Sequence, residues 1–385
     1  MEYGTERPDA EQNAERDAAQ TGRTHAGERP AAGRDAGRLP AKHAASAGVC
    51  ECQTAGRDAA QADTKQALLD ELERRRGEYL SGAALAQRLA VSRSAVWKAA
   101  ASLRAAGYDI DARRSRGYAL CSECRTLSAP GVQRRLSAPG VRVRVYGEVD
   151  STNALARQAA EAGEAEGLVL IAASQTAGRG RRGRSFFSPP GGGLYMSALL
   201  RPRLPAQDAA LMTTLAAVAV AEAVEAACGR AAGIKWVNDV YLDGKKVAGI
   251  LTEAALGCEA GVLDYAVVGV GVNLAPPPGG FPPALAGIAG ALFTAPPPGD
   301  AMARFAADVW ERFFAGYRRL PDMGFLDGYR RRSFLLGQQI EVLGPSGARS
   351  ARALAIDERA GLVVEYPSGA RETLSSGEVS VRRRP

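Results

Sequence analysis

The chain has 385 residues, a formal net charge of +7 and six cysteines. This length allows two or three domains with a substantial core, and the sparse, unevenly spaced cysteines favour a reducing compartment over a disulfide scaffold. The only histidines are His25 and His43, near the amino terminus. The rest of the chain therefore cannot contain a Ser-His-Asp triad, a Cys-His pair or a His-ligated zinc site.

The first 62 residues are predicted to be a disordered tail. They are rich in Ala, Arg, Gly, Glu and Asp without a hydrophobic period, so they cannot bury enough apolar area to offset the entropy of ordering. No secretory signal is visible. The longest apolar stretch, residues 209–224, includes two threonines and Glu222, which is typical of a buried helix and not of a membrane span. We therefore expect a cytoplasmic protein with no membrane contact.

Residues 63–122 carry the signals of three helices followed by a hairpin. In chain order, the capping and stop residues are Thr64 with Gly77, Ser81, and Ser92 with Gly107. Two short strands follow, at 108–112 and 118–120. This order predicts a winged helix-turn-helix domain.

The predicted winged helix is basic, since eleven Lys and Arg face six Asp and Glu between residues 65 and 121. Much of the positive charge lies on the third helix and the hairpin tip, where groove and phosphate contacts occur in such domains. The predicted DNA-binding residues are Ser92, Arg93, Ser94, Trp97, Lys98, Arg113, Arg114 and Arg116. The alternative is a small helical domain with a solvated basic face.

The remainder divides into three parts. Residues 123–140 are predicted to be a linker. Residues 141–335 have more strands than strict βαβ alternation would give, which favours an α+β domain with a mixed sheet; its helices are predicted near 152–163, 206–228 and 300–318. Residues 336–385 contain five short strands separated by turns, which predicts an SH3-like barrel.

A glycine- and arginine-rich loop, Gly178-Arg-Gly-Arg-Arg-Gly-Arg184, is the first chemical motif. Its glycines match the dinucleotide-binding spacing, but Pro189, Pro190 and three further glycines follow where that fold requires a helix. The sequence instead favours a flexible loop that an anionic ligand orders, because glycines allow close backbone approach and arginines bind phosphate or carboxylate. A basic nucleic-acid patch or a solvated loop is the alternative.

Two further motifs concentrate polar groups. Lys235-Trp-Val-Asn-Asp239 is followed by a strand that Lys246 opens, where a compact positive charge could face a developing anion; the alternative is an ordinary hairpin. Asp150-Ser-Thr-Asn153 can cap a helix or hydrogen-bond a small polar ligand.

These motifs, together with Ser174–Arg184, Phe187-Ser-Pro189, Lys246-Val-Ala-Gly-Ile250 and Gly269-Val-Gly-Val-Asn273, resemble the catalytic domain of biotin–protein ligases. The winged helix and the carboxyl-terminal β module lie where the bifunctional ligase/repressor members have them, so the resemblance covers everything but the tail. Three features depart from the family pattern: a phenylalanine replaces the usual tryptophan after the loop, the third helix is rich in alanine, and the wing is rich in arginine. The last two departures put operator recognition in doubt.

The resemblance implies a role for each matching residue. Ser151, Thr152 and Asn153 would line a biotin pocket, and Gln175 would contact the ureido ring. Arg179, Gly180 and Arg181 would close over the carboxylate and the phosphate of AMP. Lys246 would contact the reacting carboxylate and the α-phosphate, so Arg181 and Lys246 are the predicted catalytic residues. The nucleotide side would be formed by Trp236, Asn238, Asp239 and Asn273.

The resemblance also implies the reaction and the partners. Biotin and ATP, with Mg²⁺ bound to its phosphates, would give biotinyl-AMP, which then transfers biotin to a lysine of a biotin carboxyl carrier protein. The adenylate would favour a homodimer that binds operator DNA. A lipoate or octanoate ligase, and a non-catalytic biotin-sensing DNA-binding regulator, are the alternatives. We expect Cys121 and Cys124 to be free thiols and not zinc ligands.

Overall fold

The computed structural model describes residues 51–257, 261–320, 322–344, 347–375 and 378–381. Most of the predicted tail lies outside these residues. The first described element is helix α1 (Glu51–Arg74), which begins well before the predicted start at Thr64. The last part of the tail prediction is therefore wrong, because the alanine-rich run before Thr64 favours the helical conformation.

The winged helix forms as predicted. Its further elements are α2 (Gly82–Arg88), α3 (Arg93–Ala105), β1 (Ile110–Arg113) and β2 (Gly117–Leu120). Ser81 and Ser92 cap α2 and α3, each accepting a hydrogen bond from a backbone amide at 3.1 Å. The apolar faces of these helices pack around Leu72, Leu85 and Leu103, all almost completely buried.

The predicted linker contains structure of its own. Ser128 caps a short helix, α4 (Ala129–Gln133), whose Pro130 and Val132 are buried. Its cap also joins the winged helix, because the Ser128 hydroxyl donates to Glu73 Oε1 at 2.5 Å. The small residues that indicate a linker are needed here for close packing: a Cβ on Gly131 would lie 2.6 Å from the Ser128 hydroxyl.

The catalytic region contains a seven-stranded mixed sheet with the order β3-β4-β5-β9-β8-β7-β6. The strands are β3 (Arg142–Val149), β4 (Leu168–Gln175), β5 (Gly193–Leu200), β6 (Gly233–Lys235), β7 (Asp239–Leu242), β8 (Lys245–Leu256) and β9 (Leu263–Asn273). Strands β3 and β4 are parallel and the other neighbours are antiparallel. Strand β5 was not among the predicted strands, because its continuous apolar run gives no alternation to distinguish strand from buried helix.

Helices cover the sheet. They are α5 (Thr152–Glu161), α6 (Ala209–Cys228), α7 (Pro283–Ala286), α8 (Ala301–Tyr317) and α9 (Phe325–Arg332). Helix α6 packs on α8, α9 and β8. With the turn before it, α6 is long and apolar enough to cross a membrane by length and composition, but 72% of its apolar window is buried in the protein.

The carboxyl-terminal module has the five predicted strands. They are β10 (Gln339–Gly344), β11 (Gly347–Ile356), β12 (Leu362–Glu365), β13 (Arg371–Leu374) and β14 (Glu378–Val381), in the antiparallel order β13-β12-β11-β10-β14. The module contacts the catalytic region, since the Trp236 indole N–H donates to the Ala360 carbonyl at 2.9 Å. Parts of two predicted turns, at residues 346 and 376–377, lie outside the described residues.

A buried carboxylate connects the winged helix to α4. Glu73 is 1% exposed and accepts hydrogen bonds from Arg76 at 2.8 Å and from Ser128. Arg134 donates to the Glu73 carbonyl oxygen. Arg135 then pairs with Asp300 at the start of α8. The winged helix is thus attached to the catalytic region through a chain of charged hydrogen bonds.

We predict that Glu73→Ala lowers the free energy of unfolding by about 3 kcal/mol, because it leaves the Arg76 guanidinium largely buried without its carboxylate. Denaturant unfolding measures this free energy, and hydrogen exchange of the α3 amides reports on the winged helix. Asp70→Ala, which breaks the exposed pair with Arg74, is the control and should cost less than about 1 kcal/mol. Equal losses in the two variants would contradict the role given to Glu73.

Candidate functional site

A cavity of about 390 Å³ opens over the middle of the seven-stranded sheet. Its lining includes all twelve residues predicted to bind small molecules: Ser151, Thr152, Asn153, Gln175, Arg179, Gly180, Arg181, Trp236, Asn238, Asp239, Lys246 and Asn273. Segments more than a hundred residues apart in sequence therefore meet at one site. The volume lies within the range of small-molecule sites.

The cavity floor is formed by three glycines of the sheet. They belong to the sequence motifs, but from the sequence we assigned them no role. Gly249 pairs with Gly271 across β8 and β9, and Gly269 lies two residues earlier on β9. A Cβ on Gly271 would lie 2.6 Å from the Phe186 ring, and one on Gly269 would lie 2.1 Å from Asn153 Oδ1. Glycines two apart on a strand share one face, and that spacing was the available sequence signal.

The polar wall beside this floor begins at the start of α5. Ser151 caps the helix, accepting a hydrogen bond from the Ala154 amide, which is the structural role predicted for the Asp150–Asn153 motif. The Thr152 amide donates to Gln175 Oε1 at 2.8 Å. The Gln175 amide group in turn donates to Ser188 at 3.1 Å. A continuous set of hydrogen bonds therefore fixes these side chains before any ligand arrives.

The glycine- and arginine-rich loop has a defined backbone in the structure. The Gly180 amide donates to the Arg184 carbonyl at 2.7 Å, and the Phe186 amide donates to the Gly178 carbonyl at 2.9 Å. Residues 181–183 form a short 3₁₀ turn in which Arg182 has a φ of 57°. The turn brings the arginines to the mouth of the cavity.

Positive charge dominates the cavity. Among the described residues that line it, six are basic and one is acidic: Arg179, Arg181, Arg182, Arg184, Lys235, Lys246 and Asp239. Asp239 pairs with Lys246 at 2.7 Å between Oδ1 and Nζ. Arg181 donates to Asn238 Oδ1 at 3.0 Å, while the Asn238 amide group donates to the Ile250 carbonyl at 2.9 Å. The net charge of this lining suits a carboxylate or a phosphate.

The tyrosines at the cavity add no negative charge. Burial raises the pKa of the Tyr195 hydroxyl well above its ordinary value. Burial and the nearby Asp239 carboxylate together raise the pKa of Tyr241 to about 12. Both phenols therefore stay protonated at neutral pH.

Asn273, which is predicted to lie on the nucleotide side, is held by the structure around it. Asn273 donates to the Gly290 carbonyl at 3.0 Å. That contact anchors the segment before it, in which Leu285 and Ile288 also line the cavity. Ile288 is 55% exposed. This part of the cavity thus presents an apolar wall to solvent, which sequence reasoning did not identify.

The predicted DNA-binding residues form a second surface, on the winged helix. All eight are exposed: Ser92, Arg93, Ser94, Trp97, Lys98, Arg113, Arg114 and Arg116. The Trp97 side chain is 59% exposed. Ser92 also caps α3. In the wing, Arg116 and Arg113 lie over the Tyr79 ring, with guanidinium carbons 4.3 and 5.2 Å from its centroid. Tyr79, absent from the predicted set, thus supports the wing.

Cys121 and Cys124, near the end of the winged helix, form no disulfide. The Cys124 sulfur accepts a hydrogen bond from the Asp109 amide at 3.3 Å. The carbonyl oxygens of both cysteines accept from Arg76. Their observed contacts are therefore structural.

Three family models match successive parts of the chain. The HTH domain matches residues 64–119, the Biotin/lipoate A/B protein ligase family matches 146–273, and the Biotin protein ligase C terminal domain matches 335–382. The second of these ranges contains all of the predicted small-molecule residues.

Relatives with known names match this chain over most of their own length. The chain is 33% identical over 304 residues to the bifunctional ligase/repressor BirA of Bacillus subtilis, covering 78% of this chain and 93% of that protein. It is 36% identical over 245 residues to the biotin–[acetyl-CoA-carboxylase] ligase of Paracoccus denitrificans, covering 60% of this chain and 96% of that protein.

A solved structure gives the same result for the fold. The biotin protein ligase from Aquifex aeolicus in complex with biotin and ATP superposes with a TM-score of 0.52 and 28% identity, covering 63% of this chain and 99% of that one. From its motifs, its domain order and its near-complete coverage of these relatives, the chain belongs to the biotin protein ligase family, in the bifunctional ligase/repressor group that carries an amino-terminal helix-turn-helix domain.

Proposed function

We propose that this protein is an ATP-dependent biotin–protein ligase that also acts as a biotin-responsive transcriptional repressor. The main support for the ligase activity is the cationic cavity, in which the family's motifs meet over a glycine floor. The relatives named above support the same activity. The repressor function rests on the winged helix and on the bifunctional relatives that share it.

The first step joins biotin to AMP. A carboxylate oxygen of biotin bonds to the α-phosphorus of ATP, and pyrophosphate leaves with the electrons of the broken P–O bond. The attacking group is already an anion, so the step needs positioning and charge neutralisation and no general base. Arg181 and Lys246 supply this charge. Asn238 holds the first, and Asp239 holds the second while leaving other N–H groups of Nζ able to reach the phosphate.

The second step transfers biotin to the carrier protein. The uncharged ε-amine of a carrier lysine attacks the carbonyl carbon of the mixed anhydride, AMP leaves, and the nitrogen loses a proton as the amide forms. Until then the anhydride must be protected from water. The arginine-rich loop lies at the mouth of the cavity and is the segment best placed to cover the adenylate.

Mg²⁺ would arrive with the phosphates of ATP. This ion keeps several waters and usually binds one or two carboxylates together with phosphate oxygens. Asp239 is a carboxylate in the cavity lining, 20% exposed, and fits such a role. Bound there, Mg²⁺ would neutralise charge on the phosphates. The apolar wall at Leu285 and Ile288 suits the flat face of the adenine base.

Repression requires two copies of the winged helix on two half-sites. The free edge of β8 supports a homodimer: β7 pairs with β8 only as far as Gly249, so the described neighbours leave the outer edge of residues 251–256 without a strand. Pairing of this edge with a second copy would satisfy its backbone groups. Because β8 also lines the cavity, formation of the adenylate there can favour the dimer, which then binds a two-fold operator.

We propose that the chain is divided into four parts from residue 63 onward. The winged helix is assigned to residues 63–122, the linker to 123–140, the catalytic domain to 141–335 and the carboxyl-terminal domain to 336–385. The antiparallel five-stranded order of the last domain supports an SH3-like barrel. A cytoplasmic location without membrane contact is supported by the burial of α6.

A lipoate or octanoate ligase is the second candidate function, because the family model that matches residues 146–273 includes biotin and lipoate ligases. The domains on either side of the catalytic region and the named relatives favour biotin. A sensor without catalytic activity is the third candidate, and the presence of Arg181 and Lys246 argues against it.

We predict that Lys246→Ala lowers the rate of biotinyl-AMP formation about 100- to 1,000-fold, because it removes a charge that stabilises the transition state. Biotin-dependent pyrophosphate release from the purified protein measures this rate. Lys245→Ala is the matched control, since Lys245 is the exposed neighbour on the same strand, and its rate should change less than about threefold. Loss of activity in the control alone, or no loss in either variant, would contradict the assignment.

For DNA, we predict different effects of the wing and of α3. Arg114→Ala should weaken binding to all DNA sequences. It should also reduce the slope of the logarithm of affinity against the logarithm of salt concentration by about one, as expected for the loss of one phosphate contact. Trp97→Ala should reduce discrimination between operator and unrelated DNA, because base edges carry the sequence information. Fluorescence anisotropy with biotin and ATP present measures both. Arg371→Ala in the carboxyl-terminal module is the control, and an equal effect there would refute the DNA-binding surface.

A further inference from the structure

Asn153 is buried, with 5% of its surface exposed, and its carboxamide is hydrogen-bonded at both ends. Its Nδ2 donates to Glu253 Oε2 at 2.7 Å and to the Leu251 carbonyl at 3.3 Å. Its Oδ1 accepts from the Ser197 hydroxyl at 2.7 Å. The motifs identify Asn153, whereas Glu253 and Ser197 are absent from them.

The chemistry of these partners permits one orientation of the amide. An ionised carboxylate and a backbone carbonyl can only accept hydrogen bonds. The end of Asn153 that faces Glu253 and Leu251 must therefore be the NH₂ group. The opposite end is then the oxygen, beside the Ser197 hydroxyl.

This oxygen lies on the cavity floor. It would be 2.1 Å from a Cβ at Gly269, which shows that the glycine makes room for it. Asn153 and Gly269 both line the cavity, whereas Glu253 does not. A carbonyl oxygen has two lone pairs, and Ser197 uses one of them. The second is available to an N–H group of a ligand.

We propose that Glu253 is a specificity-determining positioning residue: by fixing the Asn153 amide, it presents an oxygen acceptor to a ligand that carries an N–H donor. This inference rests on the proposed function, because the ureido ring of biotin has two N–H groups. The dithiolane ring of lipoic acid has none. A buried acceptor that a ligand leaves unpaired costs binding free energy, so the arrangement discriminates between the two acids.

The position of Arg179 is consistent with this role. Its guanidinium lies 3.7 Å from the other carboxylate oxygen, Oε1 of Glu253. One oxygen of Glu253 thus faces Asn153 and the other faces a positive charge from the arginine-rich loop. The loop and the ring-binding end of the cavity are therefore connected through a single carboxylate.

The test combines variants with ligands that differ by one N–H. Isothermal titration is performed on the full chain as wild type, Glu253→Ala and Glu253→Gln, with biotin and with both biotin derivatives methylated at one ureido nitrogen. We expect Glu253→Ala to weaken biotin binding about tenfold, the usual worth of one hydrogen bond to a charged or fixed group. The derivative that lacks the recognised N–H should bind wild type and Glu253→Ala equally.

Glu253→Gln keeps an oxygen acceptor and the side-chain size, so it should recover part of the biotin affinity and carries the test if Glu253→Ala folds poorly. Glu161→Gln at the other end of α5, the helix that contains Asn153, is the matched control and should leave every affinity unchanged. Equal weakening of biotin and both derivatives in Glu253→Ala, or no weakening of biotin, would overturn the inference. Failure of the wild type to bind biotin would instead refute the proposed function itself.

Discussion

The site depends on a stretch of sheet that has no side chains. Gly249, Gly269 and Gly271 leave the middle of β8 and β9 open, and each would bring a Cβ to within 3.3 Å of a site residue if replaced by alanine. A sheet covered on both faces normally presents a continuous apolar surface. Here the missing side chains let the Phe186 ring and the Asn153 carboxamide lie close to the backbone, while the polar wall from α5 and the basic loop supply recognition and charge.

The second constraint is electrostatic. The six basic residues among the described cavity lining repel one another, and the single carboxylate offsets only part of this repulsion unless an anionic ligand is present. The structure limits this cost by pairing Lys246 with Asp239 and by placing Arg181 on Asn238. These partners fix the positions of the two cations, which is the preorganisation that adenylyl transfer to a carboxylate requires.

Much of the fold and of the site could be predicted from the sequence, because capping serines, glycines that end helices and motif spacing are local signals. The three helices of the winged helix and the five strands of the carboxyl-terminal module are examples. Features that depend on tertiary contacts could not be predicted. The cap of α4 depends on Glu73, a residue distant in sequence. Likewise, Glu253 acquires its role only because β8 passes beside Asn153, and an isolated glutamate on an amphipathic strand gives no signal of that contact.

Native mass spectrometry of the wild-type protein mixed with MgATP and equal amounts of biotin and lipoic acid tests which acid the site activates. We expect retained biotinyl-AMP, because the polar wall offers a fixed acceptor to the ureido ring and the cationic loop holds the phosphate. Retained lipoyl-AMP would contradict the assignment of biotin as substrate. The absence of either adenylate would contradict the ligase activity itself.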